Sequence, residues 1–424
     1  MKKAMLEIGV LLSVLLVTVG CSSGNKKSDD AGTTEKVTLS YMSWDPNEEK
    51  GLRKVADAFE KENPNIKINM ETTPWEQYWV KMESAAKAGN LPDIVTMHPI
   101  ASYAFISGGI LMDLDPVIED SSLDMANYYE GIVDPYKLDD SIYAIPKDVT
   151  DIGIWYNKKI FDDAGVEYPD ETWTWDTLKA AAKKLTDTEK GIYGFAAPND
   201  YQNGYLSFIY QNQGVTLSED GTKSEFNNQN TVDALQWWVD FSLTDKSSPT
   251  AQQLAENSAY SLLESGRVAM ITQGNWMAPQ FRDNEYTREN IDAAVLPKGK
   301  ERATLLNGLG WSISAATKHP KEAKKFLEFL GSKEANEIQA SSGVAIPAFK
   351  GVGDLWTKSY DGVFNVKAFV DMLDYGQSKP FSQYTSKVEA LEGEILTGAF
   401  SGKTSVEEAT KELQDRQNEV LQEK

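Results

Sequence analysis

Few residue patterns in this chain match the spacing that catalytic or metal-binding chemistry requires. Residues 398–404 (GAFSGKT) resemble a phosphate loop, but three residues separate the glycines where that motif has four. The two histidines, His98 and His319, are far apart in sequence, which favours surface or helix-capping roles over catalysis. Asp113 and Asp115 resemble a cation ligand pair, yet no further oxygen ligands follow at the spacing of a calcium loop. We therefore expect neither a cofactor nor a metal site.

The composition is that of a soluble, folded protein with many aromatic side chains. The 424 residues are 41% hydrophobic and 25% charged, and this length predicts two or three domains. Because 64 acidic residues outnumber 42 basic ones, the formal charge of −22 repels phosphate backbones, and we expect no nucleic-acid partner. A single cysteine excludes an internal disulfide. The most distinctive feature is the content of 11 Trp, 18 Tyr and 15 Phe.

The N-terminus carries an export signal. Lys2 and Lys3 precede an apolar stretch over residues 8–19, which suits a signal peptide and is too short to cross a bilayer. Residues 18–21 (TVGC) resemble a bacterial lipobox, although Thr18 stands where Leu is usual. We predict a lipoprotein signal peptide over 1–20, lipidation of Cys21, and a flexible polar tether over 21–36. The protein would then be exported and lipid-anchored at the outer face of the bacterial cytoplasmic membrane; the alternative is a plain signal peptide.

Alternating strand and helix patterns over residues 37–97 predict a βαβαβ unit. We expect strands at 37–42, 66–70 and 93–97. Leu52, Val55, Ala56 and Phe59 recur at helical spacing and predict a first helix with Asp45 or Asn47 as N-cap, and a second helix is expected at 75–88. Ligands of such sheets bind beyond the carboxyl ends of the strands. Ser43, Trp44 and Asp45 should lie at this rim, together with the segment after residue 97.

A second α/β region follows the first. Its predicted strands are 191–195 and 268–272, and its predicted helices are 232–243 and 259–264. Two further amphipathic helices are expected at 321–330 and 406–421.

Residues 145–158 (IPKDVTDIGIWYNK), with Phe161, Pro169 and the TWDTL run at 174–178, resemble the family-one extracellular solute-binding proteins. These are the carbohydrate-binding lipoproteins of ATP-binding-cassette (ABC) importers, which include the maltose-binding type. Further segments agree in the same order along the chain: 59–64, 91–94, 109–114, 264–276, 296–297 and 323–330. The likeness covers nearly the whole mature chain and indicates the class, while it leaves the particular sugar open.

The resemblance implies an α/β, two-lobed periplasmic-binding-protein-like fold of type II, with the ligand in the cleft. Both lobes would be discontinuous in sequence and joined by hinge crossovers. Lobe one would comprise 37–147 and 300–345, lobe two 153–295 and 350–424, and the hinges would lie near 148–152, 296–299 and 344–349.

A sugar presents C–H faces that pack on aromatic rings and hydroxyls that need hydrogen-bond partners. The candidate ligand-binding residues of lobe one and the first hinge are Trp44, Asp45, Trp75, Tyr78, the neighbourhood of His98, and Asp148. The candidates of lobe two and the cleft floor are Asn199, Asp200, Tyr201, Trp276, Tyr384, Asn307 and Trp311. We expect Trp237 and Trp238 in the core or on the lobe surface instead, because they lie in the middle of a helix.

The expected function is that of the substrate-binding lipoprotein of a carbohydrate ABC importer. It would act as a monomer that captures a neutral sugar, in particular an oligosaccharide, and delivers it to the transmembrane permease subunits. One alternative is an extracellular glycan-degrading enzyme, which would need two carboxyl groups about 5 or 9 Å apart. Another is a receptor for a cationic solute such as a polyamine, which the charge favours and the sugar-family segments disfavour.

Overall fold

The computed structural model describes residues 36–129 and 131–422. The predicted signal peptide, Cys21 and nearly all of the tether lie outside these residues. Within them, no helix combines the length and apolar character needed to cross a bilayer.

The described chain alternates short strands with helices. The strands are β1 Val37–Ser43, β2 Ile66–Thr72, β3 Ile94–Met97, β4 Lys137–Leu138, β5 Ser141–Ile142, β6 Ile145–Pro146, β7 Ile152–Asn157, β8 Met270–Gly274, β9 Ile291–Ala294, β10 Thr304–Leu306, β11 Gly310–Ile313 and β12 Gly376–Ser378. The first nine helices are α1 Glu49–Glu62, α2 Trp75–Ala88, α3 Pro99–Ser107, α4 Asp115–Glu119, α5 Lys158–Ala164, α6 Trp175–Leu185, α7 Leu206–Gln211, α8 Gln229–Leu243 and α9 Ala251–Glu256. The remaining ones are α10 Ala259–Glu264, α11 Ala278–Asp283, α12 Glu285–Asn290, α13 Pro320–Leu330, α14 Lys333–Ser342, α15 Gly353–Lys358, α16 Lys367–Met372, α17 Thr385–Phe400 and α18 Val406–Leu421.

The first lobe is built on a five-stranded sheet in the order β2-β1-β3-β11-β6. Strand β1 pairs in parallel with β2 and β3, which confirms the predicted βαβαβ unit. Strand β11 returns from far along the chain and pairs antiparallel with β3 and β6. Helix α1 covers the sheet because Leu52, Val55, Ala56 and Phe59 recur at helical spacing and are all buried.

The second lobe contains a three-stranded antiparallel sheet in the order β8-β7-β9. All six residues of β7 are buried, as a central strand covered on both faces requires. The predicted strand at 191–195 is wrong: Tyr193 makes only an isolated bridge to Val268, because the Phe195 amide donates to the Ser247 carbonyl at 3.1 Å and interrupts the ladder. The expectation for the helical tryptophans is confirmed, because Trp238 is fully buried and Trp237 stacks on Trp175 with 4.2 Å between ring centroids.

Three chain segments run side by side between the two sheets. The Lys147 amide donates to the Leu309 carbonyl at 2.8 Å, and the Val149 amide donates to the Ile346 carbonyl at 2.9 Å. Thr150 and Asn307 exchange two backbone hydrogen bonds of 2.8 and 2.9 Å. These pairings join the two lobes of the predicted fold through a narrow, hydrogen-bonded hinge.

The return crossing lies further along the chain than the predicted position near 296–299. The Lys298 amide donates to the Trp173 carbonyl at 2.8 Å, and β10 pairs with β12. The Thr304 hydroxyl also accepts the Ile152 amide at 3.0 Å, so residues 298–306 pack with the second lobe. The crossing therefore follows Leu306, because the chain first forms β10, which is hydrogen-bonded within the second lobe.

Candidate functional site

A cavity of about 560 Å³ opens where the two sheets and the three crossing segments meet. This cavity is called the cleft below. From the first lobe it is lined by Trp44, Asp45, Glu48, Trp75, His98 and Ile100. From the crossing segments it is lined by Asp148, Thr150, Asn307, Leu309 and Ala345. From the second lobe it is lined by Tyr201, Gln202, Asn203, Tyr260, Gln273, Trp276 and Met277.

Two tryptophans form an aromatic wall on the first-lobe side of the cleft. Trp44 follows β1 and Trp75 begins α2, and their rings meet edge to face with centroids 5.1 Å apart. The indole of Trp75 is 39% exposed, so an apolar face remains available to a ligand. Tyr78 is fully buried behind Trp44 and donates its hydroxyl to the Thr96 carbonyl at 2.5 Å. Tyr78 therefore holds the wall in place and does not itself line the cleft, which corrects its predicted role.

His98 lies beside Trp75 with 5.3 Å between ring centroids. Its Nδ1 accepts the Ile100 amide at 3.2 Å and caps α3, which confirms the expected capping role. Burial lowers the pKa of His98 to about 4, so the imidazole is neutral at physiological pH. Because Nδ1 is the acceptor, the proton lies on Nε2, where it can be donated to a ligand hydroxyl.

A buried lysine connects two of the cleft carboxylates. The Lys147 ammonium lies 2.8 Å from Glu48 Oε1 and 2.6 Å from Asp148 Oδ2, and all three side chains are buried. Burial by itself would lower the pKa of Lys147, but Asp148 and Glu48 outweigh it and raise that pKa. Burial raises the pKa of Glu48 to about 7, against the opposing attraction of Lys147. The cleft floor thus contains fixed acceptors that the lysine holds in position.

Asp45 lies near this group at the end of β1. Its Oδ1 accepts the Asn47 amide at 2.8 Å, and burial raises its pKa. The prediction that Asp45 or Asn47 caps α1 is wrong. The N-cap residue is Glu48, and its side chain makes no capping hydrogen bond.

The second-lobe side of the cleft is the turn Tyr201–Tyr205, which is kinked at Gly204 and presents Tyr201, Gln202 and Asn203. Asp200 Oδ1 accepts the amides of Gln202 and Asn203 at 2.8 and 3.0 Å and so orients the turn. Beneath the Tyr201 ring, the buried Lys379 ammonium lies 4.4 Å from the ring centroid.

Trp276 projects from the end of β8, on the far side of the cleft from the first-lobe wall. Its six-membered ring lies over Gly274, where an added Cβ would come within 1.9 Å of it. The adjacent Asn275 Nδ2 donates to Asp151 Oδ1 at 3.0 Å and ties this turn to the first crossing segment. Trp276 is half-buried, with part of its surface against the core and part lining the cleft.

The cleft brings together seven of the twelve predicted ligand-binding residues: Trp44, Asp45, Trp75, Asp148, Tyr201, Trp276 and Asn307. Their direct contact with a ligand stays a prediction. Asn199 and Asp200 line a neighbouring cavity. Trp311 is wrongly predicted to line the floor: it is fully buried in β11, and its Nε1 donates to the Tyr41 hydroxyl at 3.1 Å. The prediction for Tyr384 is also wrong. This residue precedes α17 and packs against the cluster that contains Val388 and Leu421.

Several cleft residues were missed by the sequence reasoning. Glu48 lies three residues after Asp45. Extending the expected ligand-binding region at the end of the first strand by one helical turn would have included it. Gln202 and Asn203 are continuous with Tyr201 and were within reach of the same argument. Tyr260 and Gln273 carried no such signal, because their proximity to the cleft depends on how α10 and β8 pack.

The other motifs have structural roles. Residues 398–404 form the end of α17 and the connection towards α18, with the Gly398 carbonyl accepting the Lys403 amide at 2.9 Å. Asp115 Oδ1 accepts the Ile142 amide at 3.0 Å, which fixes a turn. In the part of the chain that the structure describes, no group of three or more His, Cys, Asp or Glu side chains is arranged to hold a metal ion.

Comparison with known proteins gives the class. The family described as "Bacterial extracellular solute-binding protein" matches residues 45–337, well over half of the sequence. The chain belongs to this family, which confirms the resemblance found in the sequence.

Related proteins match the sequence of this chain along most of their length. The multiple sugar-binding protein of Streptococcus mutans is 24% identical over 82% of this chain and 83% of that protein. The maltooligosaccharide ABC transporter solute-binding lipoprotein of Streptococcus pneumoniae is 23% identical over 81% of this chain and 80% of that protein. An ABC substrate-binding protein of Listeria monocytogenes, solved in complex with cycloalternan, is 27% identical, covers 92% of this chain and 100% of its own, and has a TM-score of 0.83.

Proposed function

We propose that this protein is the carbohydrate-binding component of an ABC importer and that it captures a neutral oligosaccharide in the cleft. The observation that carries the proposal is the pairing of aromatic faces on both walls, Trp44 with Trp75 on one and Trp276 on the other. Between them lie amide, hydroxyl and carboxylate groups suited to sugar hydroxyls. The cleft volume is that of an ordinary small-molecule site. The sugar-binding relatives support the same ligand class.

The charges of the cleft disfavour an anionic ligand. Among its described lining residues, the charged side chains are Asp45, Glu48 and Asp148, and no lysine or arginine faces the space. An anionic sugar would meet these carboxylates without a counter-ion. Lys147 offsets one of these three negative charges, and the sugar-binding relatives, not the charge, favour a neutral sugar over a polyamine.

Binding without turnover accords best with the geometry. Glu48 and Asp148 are the obvious pair for a glycan-degrading enzyme, since such an enzyme needs two carboxyl groups facing one bond. Both bind the same buried ammonium of Lys147, which occupies the space between them that a scissile bond would need. We therefore assign the two carboxylates to ligand orientation and hinge structure.

The proposed organisation follows the family. The lobes would separate at residues 147–151, 307–309 and 344–348 and close on the sugar, which then passes to the permease subunits. Export and attachment through Cys21 are proposed from the sequence, and one relative named a lipoprotein supports them. The protein would act as a monomer.

Titration calorimetry tests the proposal. Neutral gluco- and manno-oligosaccharides should bind with one-to-one stoichiometry, whereas the same glycans oxidised to uronic acids, and spermidine, should bind far more weakly. Chromatography of the incubated sugars should reveal no shortened product. Tight binding of spermidine without binding of any neutral glycan would refute the proposed ligand class, and product formation would refute the transport role.

A further inference from the structure

A buried ion cluster lies in the second lobe, outside the set of residues that line the cleft. The Lys379 ammonium lies 3.2 Å from Glu389 Oε1 and 3.1 Å from Glu392 Oε1, and all three side chains are buried. These three residues are called the Lys379 cluster below. Burial by itself would lower the pKa of Lys379, but Glu392 and Glu389 outweigh it and raise that pKa, so the ammonium stays charged.

Stability by itself does not account for the Lys379 cluster. It places two carboxylates against one ammonium inside the lobe, and burial raises the pKa of Glu389. Buried ion pairs can often be replaced by apolar side chains of similar volume without loss of stability. The contacts of the cluster with its surroundings therefore have to be considered for another role.

The ammonium of the cluster packs against the ring of a cleft residue. Lys379 Nζ lies 4.4 Å from the ring centroid of Tyr201, within the range of cation–π attraction. Tyr201 is half-buried and lines the cleft, whereas Lys379 is buried and does not line it. Burial and the nearby Glu389 raise the pKa of Tyr201. One aromatic ring thus contacts the cluster and also forms part of the ligand site.

Two elements of the second lobe hold the ammonium in place. Lys379 directly follows β12, which pairs with β10 immediately before the crossing residue Asn307. Glu389 and Glu392 are three residues apart on α17, so both carboxylates lie on the same side of that helix. Any rotation of the ring towards the interior must displace an ammonium that two carboxylates bind.

We propose that Lys379 is a positioning residue for ligand binding: its ammonium fixes the Tyr201 ring in the orientation that the sugar contacts. Asp200 fixes the backbone of the same turn, and the Lys379 cluster supplies the restraint on the side chain. A ring that is fixed before binding does not have to be ordered by the ligand. This inference rests on the proposed function and adds a residue that acts from outside the cleft.

A cycle of variants measured by titration calorimetry tests this role. The probe is a gluco- or manno-trisaccharide, whichever the unaltered protein binds more tightly. The apolar variant combines Lys379→Met, Glu389→Leu and Glu392→Leu; it leaves none of the three charges unpaired and should largely preserve the Tm. Because methionine is flexible and holds the ring less firmly, this variant should bind the trisaccharide about fivefold more weakly.

The same replacements made together with Tyr201→Ala should change the affinity less than about twofold, because no ring is left to position. A cluster that only stabilised the fold would change the affinity by the same factor with and without the ring. A second variant, Lys379→Gln with Glu389→Gln and Glu392→Gln, removes the same charges and retains polar groups that can bond to one another. It should reproduce the result if the apolar variant does not fold.

Glu392→Gln alone is the matched control. Its amide oxygen can still accept from the ammonium, and Lys379 stays paired with Glu389, so the cation remains against the ring. This variant should bind the trisaccharide within about twofold of the unaltered protein.

The outcomes separate this inference from the proposed function. If the charge-free variants keep the unaltered affinity, or lose the same factor with and without the Tyr201 ring, Lys379 is not a positioning residue and the proposed function stands. Unaltered affinity of Tyr201→Ala would also overturn the inference, since the ring would then make no contact with the sugar. If no neutral sugar binds the unaltered protein, the proposed function fails and the inference fails with it.

Discussion

Truncation of Trp276 should weaken sugar binding much more than it weakens the fold. The ring lines the cleft with one part of its surface and contacts the core with the other. Aromatic stacking contributes about 0.5–1.5 kcal/mol beyond area burial, and loss of a central aromatic anchor costs about 2 kcal/mol or more. Since about 1.4 kcal/mol is tenfold, Trp276→Ala should lower affinity about 30-fold. Its half-buried position should limit the loss of unfolding free energy to about 1–2 kcal/mol, below the ~3–5 kcal/mol of a core tryptophan.

The assay pairs calorimetric affinity with chemical denaturation on the same variants. Trp237→Ala is the matched control, because Trp237 is also half-buried but stacks on Trp175 and does not line the cleft. It should lose stability and retain affinity in the folded fraction. Comparable losses of affinity in both variants, or a Trp276→Ala protein with normal affinity and a large loss of stability, would refute the stacking role.

Three further predictions concern buried charge and anchoring. The pKa of Glu48 is raised from 4.5 to about 7, so the folded state binds more protons than the unfolded state between these values. Stability should therefore fall as the pH rises from about 4.5 to 7, by at most about 3 kcal/mol, and denaturation of Glu48→Gln across this range should show a flatter profile. Lys147→Met leaves Glu48 and Asp148 buried without a counter-charge and should cost about 3–5 kcal/mol of unfolding free energy; a loss below about 1 kcal/mol would contradict the network. Cys21→Ala should abolish incorporation of labelled fatty acid and release the protein from membranes, and continued lipid labelling would show that the lipobox assignment is wrong.

Local patterns predicted the helices well. The bounds of α18 agree with the predicted helix at 406–421 because Ser405 and Glu408 form a capping box at its start and its amphipathic pattern is uninterrupted. The strand predicted at 191–195 failed because the segment bonds to residues 267–271 only at Tyr193 and Ala196, and a short apolar run does not specify whether a ladder will be continuous. The return crossing was placed too early for the same reason, since β10 pairs with a strand about seventy residues later in the chain.

The sequence by itself determined the class of the protein, the parallel arrangement of β1, β2 and β3, and the rim position of Trp44 and Asp45. These depend on contacts between residues close in the chain or on segments with a family pattern. Only the tertiary structure decided which polar and aromatic side chains share the cleft. Trp311 and Trp276 each lie within two residues of a glycine near a strand, yet one is enclosed between β3 and β6 and the other projects past the end of β8. The buried contact of Lys147 with Glu48 likewise joins residues far apart in sequence, and no local spacing encodes it.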